Sequence, residues 1–141
     1  MKYVLDVSVA ICWVIPRPLT PKADRLRVEY QRQIHELVAP SVFIDEVAGA
    51  LTKAERQKDI AVGEAIPLYA KVMNSHPVLI PHASLIARAI EISSWTRSAY
   101  YDCLYVALAE REGCQLVTAD QKSINNLMPR FPFIVPLATL P

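Results

Sequence analysis

Short apolar runs alternate along this chain with longer segments in which apolar residues recur every three or four positions. Short runs bounded by turn residues predict buried strands, and the helical spacing predicts amphipathic helices. The predicted strands are residues 3–5, 37–39, 78–80, 115–118 and 133–135. The predicted helices are residues 9–15, 22–36, 42–58, 63–74, 83–95, 100–112 and 121–127. Ser41 precedes the third helix and is expected to be its N-cap, because serine is a favoured cap residue.

Strands separated by helices are typical of an α/β fold, in which helices cover both faces of a parallel sheet. One such sheet suits a chain of 141 residues, so we predict a single domain over residues 1–141. Right-handed crossovers place ligand sites at the C-terminal ends of the strands in such folds. Functional side chains are therefore expected just after the strands.

Four acidic residues lie where this topology would bring them to that edge of the sheet. Asp6 and Asp120 fall just after the first and fourth predicted strands. Glu46 lies in the first turns of the helix after the second strand, and Asp102 lies near the start of the helix that leads into the fourth. We expect all four side chains to reach one rim.

Three of these acids have simpler explanations when each is taken alone. Asp6 could cap the helix that follows it, and Asp120 could be a turn residue between a strand and a helix. Glu46 could be a solvated charge on a helix face.

Asp102 differs from the other three because it lies in the apolar segment SAYYDCLYVALAE. A buried lone carboxylate is unfavourable by on the order of several kcal/mol unless it is neutralised, hydrogen-bonded or bound to a cation. Its neighbours three, four and seven residues further along the helix are not basic. A structural partner such as Arg97 or Lys122 remains an alternative to a bound cation.

If the four carboxylates converge, their mutual repulsion must be relieved. At about 5 Å and an effective dielectric constant near 20, each charged pair repels by about 3 kcal/mol. Six such pairs would exceed the roughly 5 to 15 kcal/mol that stabilises a domain. Convergence therefore implies protonation or bound metal, and all-oxygen ligands favour Mg²⁺ or Mn²⁺ over zinc. Such ions can activate water and orient a phosphodiester, which is nuclease chemistry.

The composition adds few constraints. A net charge of +1 gives no general electrostatic footprint for nucleic acid, so any RNA contact must rest on a local patch. No window approaches the roughly 18 uninterrupted apolar residues of a membrane span. Three widely spaced cysteines fit a reducing compartment, and the three histidines lie outside any zinc-binding spacing. We expect a soluble, cytoplasmic protein without a membrane partner.

Four segments of the sequence resemble the motifs of the PIN domain family, in particular the small VapC-type toxins of toxin-antitoxin pairs. VLDVSV resembles the opening strand with its Asp-x-Ser motif, and PSVFIDEVAGAL resembles the Pro-then-Glu helix. SAYYDCLYVALAE resembles the Tyr-Asp helix, and LVTADQK resembles the strand that ends in Thr-x-Asp. The four segments occur in the family's order across nearly the whole chain.

The resemblance implies a three-layer sandwich with a central parallel sheet of order 3-2-1-4-5, flanked by about seven helices. It implies a metal-dependent ribonuclease, with Asp6, Glu46, Asp102 and Asp120 as the acidic metal site. It also implies supporting hydroxyl groups, a homodimer and a cognate antitoxin that covers the site. The supporting hydroxyl groups are those of Ser8 and Thr118. Gly49 departs from the family, which often has Asn at that position, and the difference affects expected substrate contacts rather than the metal ligands.

Several basic and aromatic residues could contact RNA. Solvated helix faces are the alternative explanation for the basic residues, and burial in the core is the alternative for the aromatic ones. The basic candidates are Lys53, Arg56, Arg97 and Lys122. The aromatic candidates are Trp95, Tyr100 and Tyr101.

Two other function classes remain as alternatives. The first is a PIN-fold module that binds RNA or protein without catalysis. The second is another doubly wound enzyme, such as a phosphatase with an Asp nucleophile, but the segment Asp6-Val7-Ser8 lacks the second acid of that motif. The chain has three glycines, and they are too far apart to form a dinucleotide-binding motif or a P-loop.

Overall fold

The structure is a computed structural model that describes residues 1–141. Its strands are β1 (Lys2–Leu5), β2 (Glu36–Pro40), β3 (Val78–Ile80), β4 (Gln115–Thr118) and β5 (Ile134–Pro136). Its α-helices are α1 (Val7–Val14), α2 (Thr20–Gln31), α3 (Phe43–Arg56), α4 (Ala65–Met73), α5 (Ile86–Thr96), α6 (Tyr100–Glu112) and α7 (Gln121–Leu127). Two 3₁₀ helices, Ala83–Leu85 and Leu137–Thr139, complete the secondary structure. No helix combines the length and apolar character needed to cross a membrane.

All five strands are parallel and form one sheet of order β3-β2-β1-β4-β5, which confirms the implied order. β1 lies at the centre, where Tyr3 is opposite Leu37 on one side and Gln115 on the other. Val4 and Leu5 are fully buried, as the short apolar run predicts. The C-terminal ends of β1 and β4, where the sheet reverses its order of strand addition, lie side by side.

Helices on the two sides of the sheet complete a three-layer sandwich, the predicted α/β fold. Helices α1 to α4 contact one another in one group, and α5 packs on α6 in the other. Every side chain of α6 from Cys103 to Ala109 is buried, because this helix is apolar on nearly all sides. Gly113 ends α6 in the left-handed conformation, with φ of 60°.

Two local predictions were wrong. The helix predicted at 22–36 ends at Gln31, because Gln33 adopts a positive φ of 62° and the amide of Glu36 joins the sheet by donating to Met1 O. Ser41 does not cap α3, whose N-cap is Val42 without a side-chain hydrogen bond. The Ser41 hydroxyl instead bonds to the ring nitrogen Nδ1 of a histidine, His82.

The aromatic candidates divide between the core and the surface. Trp95 is 58% exposed and Tyr101 is 51% exposed, so neither is a core residue. Tyr100 is partly buried and packs against the core. The guanidinium of Arg130 lies 4.6 Å from the centre of the Trp95 ring, which accounts for an indole held at the surface.

Candidate active site

Asp6 occupies the C-terminal end of the central strand. Its amide donates to Val117 O of the neighbouring strand, and its side chain caps α1 by accepting from the Ser8 amide at 3.2 Å. The hydroxyl groups of Ser8 and Thr118 also donate to the same oxygen, Oδ2. The second oxygen, Oδ1, has no hydrogen bond within the protein. Capping therefore occupies one oxygen of Asp6 and leaves the other available to a ligand.

Ser8 and Thr118 connect the ends of β1 and β4 around Asp6. The Ser8 hydroxyl oxygen accepts from the Ala119 amide at 2.9 Å, and the Thr118 hydroxyl oxygen accepts from the Asp120 amide at 3.1 Å. Each hydroxyl group thus donates to Asp6 and accepts from the β4–α7 connection. The two hydroxyl groups thus connect Asp6 to the segment that contains Asp120.

Asp120 is the N-cap of α7. Its Oδ1 accepts from the Lys122 amide at 3.2 Å, and its Oδ2 accepts from the Ser123 hydroxyl at 2.9 Å. The simpler explanation of a residue at a strand-helix junction therefore holds for Asp120, as capping does for Asp6. Because a carboxylate oxygen has two lone pairs, these bonds leave further acceptor capacity on both oxygens.

Glu46 lies in the first turn of α3 and is partly buried, with one carboxylate oxygen fully buried, so it is not a solvated helix-face charge. Its Oε1 is buried without a hydrogen-bond partner, as is the hydroxyl of Tyr105 on α6. Burial raises the pKa of Glu46 to about 7, and the charges of Asp6 and Asp102 add to the rise. The nearby Tyr105 hydroxyl opposes that rise, although the two groups do not form a hydrogen bond.

Asp102 lies in the first turn of α6. Burial raises its pKa to about 6, and the charges of Asp6 and Asp120 contribute to the rise. Ser123 and, to a lesser extent, Lys122 oppose the rise, but neither Lys122 nor Arg97 forms an ion pair with Asp102. The structural partner considered from the sequence is therefore absent.

The four carboxylates line one cleft of about 900 Å³. Burial raises the pKa of Asp6, with the Asp120 charge as a further cause, and Glu46 and Asp102 each respond to Asp6. The tertiary structure thus brings the acids to one rim. It does not bring them to one point, because no three His, Cys, Asp or Glu side chains are arranged to hold a metal ion as they stand.

The residues of this cleft nevertheless fit a hard divalent cation. The donors are all oxygen atoms, the set that Mg²⁺ and Mn²⁺ select. Glu46 Oε1 is a buried acceptor without a donor, and burial together with neighbouring carboxylate charges raises the pKa values of Glu46 and Asp102. A divalent cation among these oxygens would offset the mutual repulsion of the carboxylates.

The basic candidates lie in different places. Lys53 lines the cleft, whereas Arg56 lies outside it. Arg97 and Lys122 line a small separate pocket that also contains Asp102. Sequence reasoning missed Arg17, which lines the cleft and pairs with Asp59. Arg17 lies between Pro16 and Pro18, outside any segment with helical or strand periodicity. The two flanking prolines, which indicate a loop, were the only sequence signal at this position.

A parallel sheet of this order, with acidic side chains at the ends of its central strands, occurs in several doubly wound α/β folds, so the family is decided by the sequence. The PIN domain family model matches residues 3–127, and the chain belongs to that family.

Individual relatives agree with this assignment. The chain is 28% identical over 137 residues to Ribonuclease VapC3 of Pyrobaculum aerophilum, covering 96% of this chain and 98% of that protein. Its fold is similar to the crystal structure of PAE2754 from Pyrobaculum aerophilum, with a TM-score of 0.70, 21% identity and coverage of 99% and 94%. It is also similar to a toxin-antitoxin complex from Klebsiella pneumoniae, with a TM-score of 0.57, 14% identity and coverage of 96% and 97%. The two solved structures support the fold.

Proposed function

We propose that this protein is an endoribonuclease that depends on Mg²⁺ or Mn²⁺ and acts as the toxin of a toxin-antitoxin pair. The observation that carries the proposal is the single cleft lined by Asp6, Glu46, Asp102 and Asp120 at the C-terminal edge of the sheet. Membership of the PIN domain family supports a nuclease, and the relative Ribonuclease VapC3 carries the more specific activity in its name.

The four carboxylates would hold the cation. When bound, such an ion lowers the pKa of water, orients the phosphodiester and balances charge on the leaving oxygen. Ser8 and Thr118 would contribute by holding Asp6 Oδ2, so that Oδ1 stays directed to the cleft. These outer hydrogen bonds limit the rotation of a carboxylate and fix its orientation.

Glu46 would couple cation binding to proton release. With a pKa of about 7, a substantial fraction of Glu46 is protonated at neutral pH in the metal-free protein. Coordination needs the ionised form, so binding would displace the proton from Glu46. On this proposal cation affinity increases between pH 6 and pH 8, roughly the range in which Glu46 and Asp102 ionise.

The partners follow from the same relatives. The Klebsiella pneumoniae complex and the VapC name support a cognate antitoxin. That the antitoxin covers the cleft is an expectation from the family. A homodimer and a cytoplasmic location belong to the proposal as expectations from the family. The RNA substrate would meet Lys53 at the cleft, and Arg17 is a further cation there.

Cleavage of labelled RNA by antitoxin-free protein tests this function. We expect cleavage with Mg²⁺ or Mn²⁺, none with EDTA, and none detectable for Asp6→Asn or Asp102→Asn. Asp45→Asn is the matched control, because Asp45 is an exposed acid next to Glu46 on the same helix and lies outside the cleft. Equal cleavage by all four proteins would refute the proposal.

One observation favours a second candidate function, an RNA- or protein-binding module without catalysis. The carboxylates share a cleft but are not arranged around one ion position. RNA binding without cleavage at saturating Mn²⁺ is the result that this candidate predicts and the nuclease does not.

A further inference from the structure

A small polar pocket lies beside the cleft and shares one carboxylate with it. The pocket has a volume of about 50 Å³, which is room for a few water molecules or for one group of phosphate size. Asp102 lines both the pocket and the cleft. The other residues that line the pocket are Arg97, Ser98, Ala99, Lys122, Ser123 and Asn126.

Arg97 and Lys122 bring two positive charges to this pocket. Both side chains are exposed, and neither forms an ion pair with any carboxylate of the chain. Asp102 supplies the single negative charge among the lining residues. The pocket is therefore net positive, beside a cleft that is predominantly negative.

Ser98 adds a buried hydroxyl group that has no partner. The residue is 8% exposed, and its Oγ makes no hydrogen bond. Its backbone is held on both sides, because its carbonyl accepts from the Ser93 hydroxyl at 2.7 Å and its amide donates to Thr96 Oγ1 at 3.3 Å. A buried hydroxyl group without a partner is unfavourable, and an acceptor oxygen in the pocket would satisfy it.

The fold attaches this pocket to two of the four acids. Arg97 ends α5 in the left-handed conformation, and the next residues lead into α6, which has Asp102 in its first turn. On the opposite side, the Ser123 hydroxyl donates to Asp120 Oδ2 at 2.9 Å. A ligand in the pocket would thus lie next to Asp102 and to the residues that orient Asp120.

We infer that this pocket binds a phosphate group of the RNA strand, next to the phosphate that lies among the acids. Phosphate oxygens accept hydrogen bonds from guanidinium, ammonium and hydroxyl donors, which are the groups of Arg97, Lys122 and Ser98. The inference rests on the proposed function, since the strand is in position only when RNA occupies the cleft. The pocket would set the register of the strand and so select which bond meets the acids.

RNA binding measured by fluorescence anisotropy in EDTA tests this subsite without cleavage. The double variant Arg97→Gln/Lys122→Gln is expected to raise the Kd for RNA by about 10-fold. The slope of log binding constant against log salt concentration is expected to decrease by about the contribution of one phosphate contact. Ser98→Ala is expected to raise the Kd by a smaller factor. The matched controls are Lys71→Gln, an exposed lysine on α4 without an ion pair, and Ser94→Ala, an exposed serine on α5.

The outcomes separate the subsite from the proposed function. If wild-type protein cleaves RNA while the double variant binds RNA as tightly as Lys71→Gln, the subsite is wrong and the nuclease stands. If no protein cleaves RNA but the double variant loses affinity, the nuclease is wrong and the subsite stands.

A titration with inorganic phosphate, followed by the backbone amide NMR signals of Ser98 and Ser123, distinguishes free phosphate from the strand. Shifts at these amides that disappear in the double variant, together with weakened RNA binding, support the subsite. Shifts with unchanged RNA affinity would show an anion site for free phosphate and overturn the assignment to RNA.

Discussion

The carboxylate of Glu46 is the side chain whose replacement tests the electrostatic argument most directly. Its pKa rises from 4.5 to about 7 in the folded protein, because the group is buried beside Asp6 and Asp102. At about 1.4 kcal/mol for each pKa unit, ionised Glu46 would disfavour folding by about 3 kcal/mol at pH 7.5. Because the cleft is open to water, solvent screening reduces this unfavourable contribution to about 1 to 2 kcal/mol.

Glu46→Gln should therefore stabilise the metal-free protein by about 1 to 2 kcal/mol at pH 7.5. The substitution removes the charge, and the new amide can hydrogen-bond to the Tyr105 hydroxyl, which has no partner in the wild type. The direction in which stability changes with pH follows from the raised pKa of Glu46. The folded protein holds the Glu46 proton more tightly than the unfolded chain does, so wild-type stability rises as pH falls from about 7 towards 4.5. The advantage of the variant should shrink over that range.

Urea unfolding in EDTA at pH 7.5 and pH 5 measures this difference, and the same series with Mn²⁺ measures the effect of the cation. A cation at 100 times its Kd would stabilise the wild type by about 2.7 kcal/mol, and Glu46→Gln should lose most of that gain. Asp45→Asn serves as the control, with a loss of about 0.3 to 0.5 kcal/mol from the helix N-terminus and no change with metal. If Glu46→Gln is no more stable than the wild type in EDTA at pH 7.5, the electrostatic reasoning is refuted.

Two further substitutions test the groups around the acids. Ser8→Ala removes one donor to Asp6 Oδ2. We expect it to lower cation affinity, measured by titration, or the rate of RNA cleavage by about 10- to 100-fold. Unchanged values would show that this hydroxyl does not orient Asp6. Tyr105→Phe removes a buried hydroxyl group without a partner, so the unfolding free energy in EDTA should stay within about 1 kcal/mol of the wild type or rise. A loss well above about 1 kcal/mol for Tyr105→Phe would show that the hydroxyl is hydrogen-bonded in the folded protein.

The elements of this fold follow from local patterns that a single sequence displays. The apolar run before Asp6 predicts a buried central strand, and the helix predicted over residues 100–112 ends where α6 does, just before Gly113. Asp6 and Asp120 were expected at strand ends, where they now cap helices and line the cleft. These predictions succeed because the side-chain periodicity of a helix or a strand repeats within a few residues and is therefore visible in a short segment of sequence. The strand order was implied by family resemblance, since periodicity does not encode which strands are neighbours.

The surroundings of each acid depend on residues that are distant in the chain. Glu46 is partly buried and lies near Tyr105 of α6, and the burial of a helix-face charge cannot be recognised from its own segment. The exposure of Trp95 likewise results from packing that its helical spacing does not reveal. The assignment of the acids as metal ligands stays a prediction, as does the single-domain organisation.

The order of residues in the sequence thus determined which acids could meet at the edge of the sheet. The C-terminal ends of parallel strands joined by helical crossovers lie along the same edge, so acids that follow those strands lie there too. How close Asp6, Glu46, Asp102 and Asp120 approach depends on side-chain packing and mutual repulsion across elements far apart in sequence. Those forces act through space over a few ångströms, so they become defined only when the folded chain sets the distances.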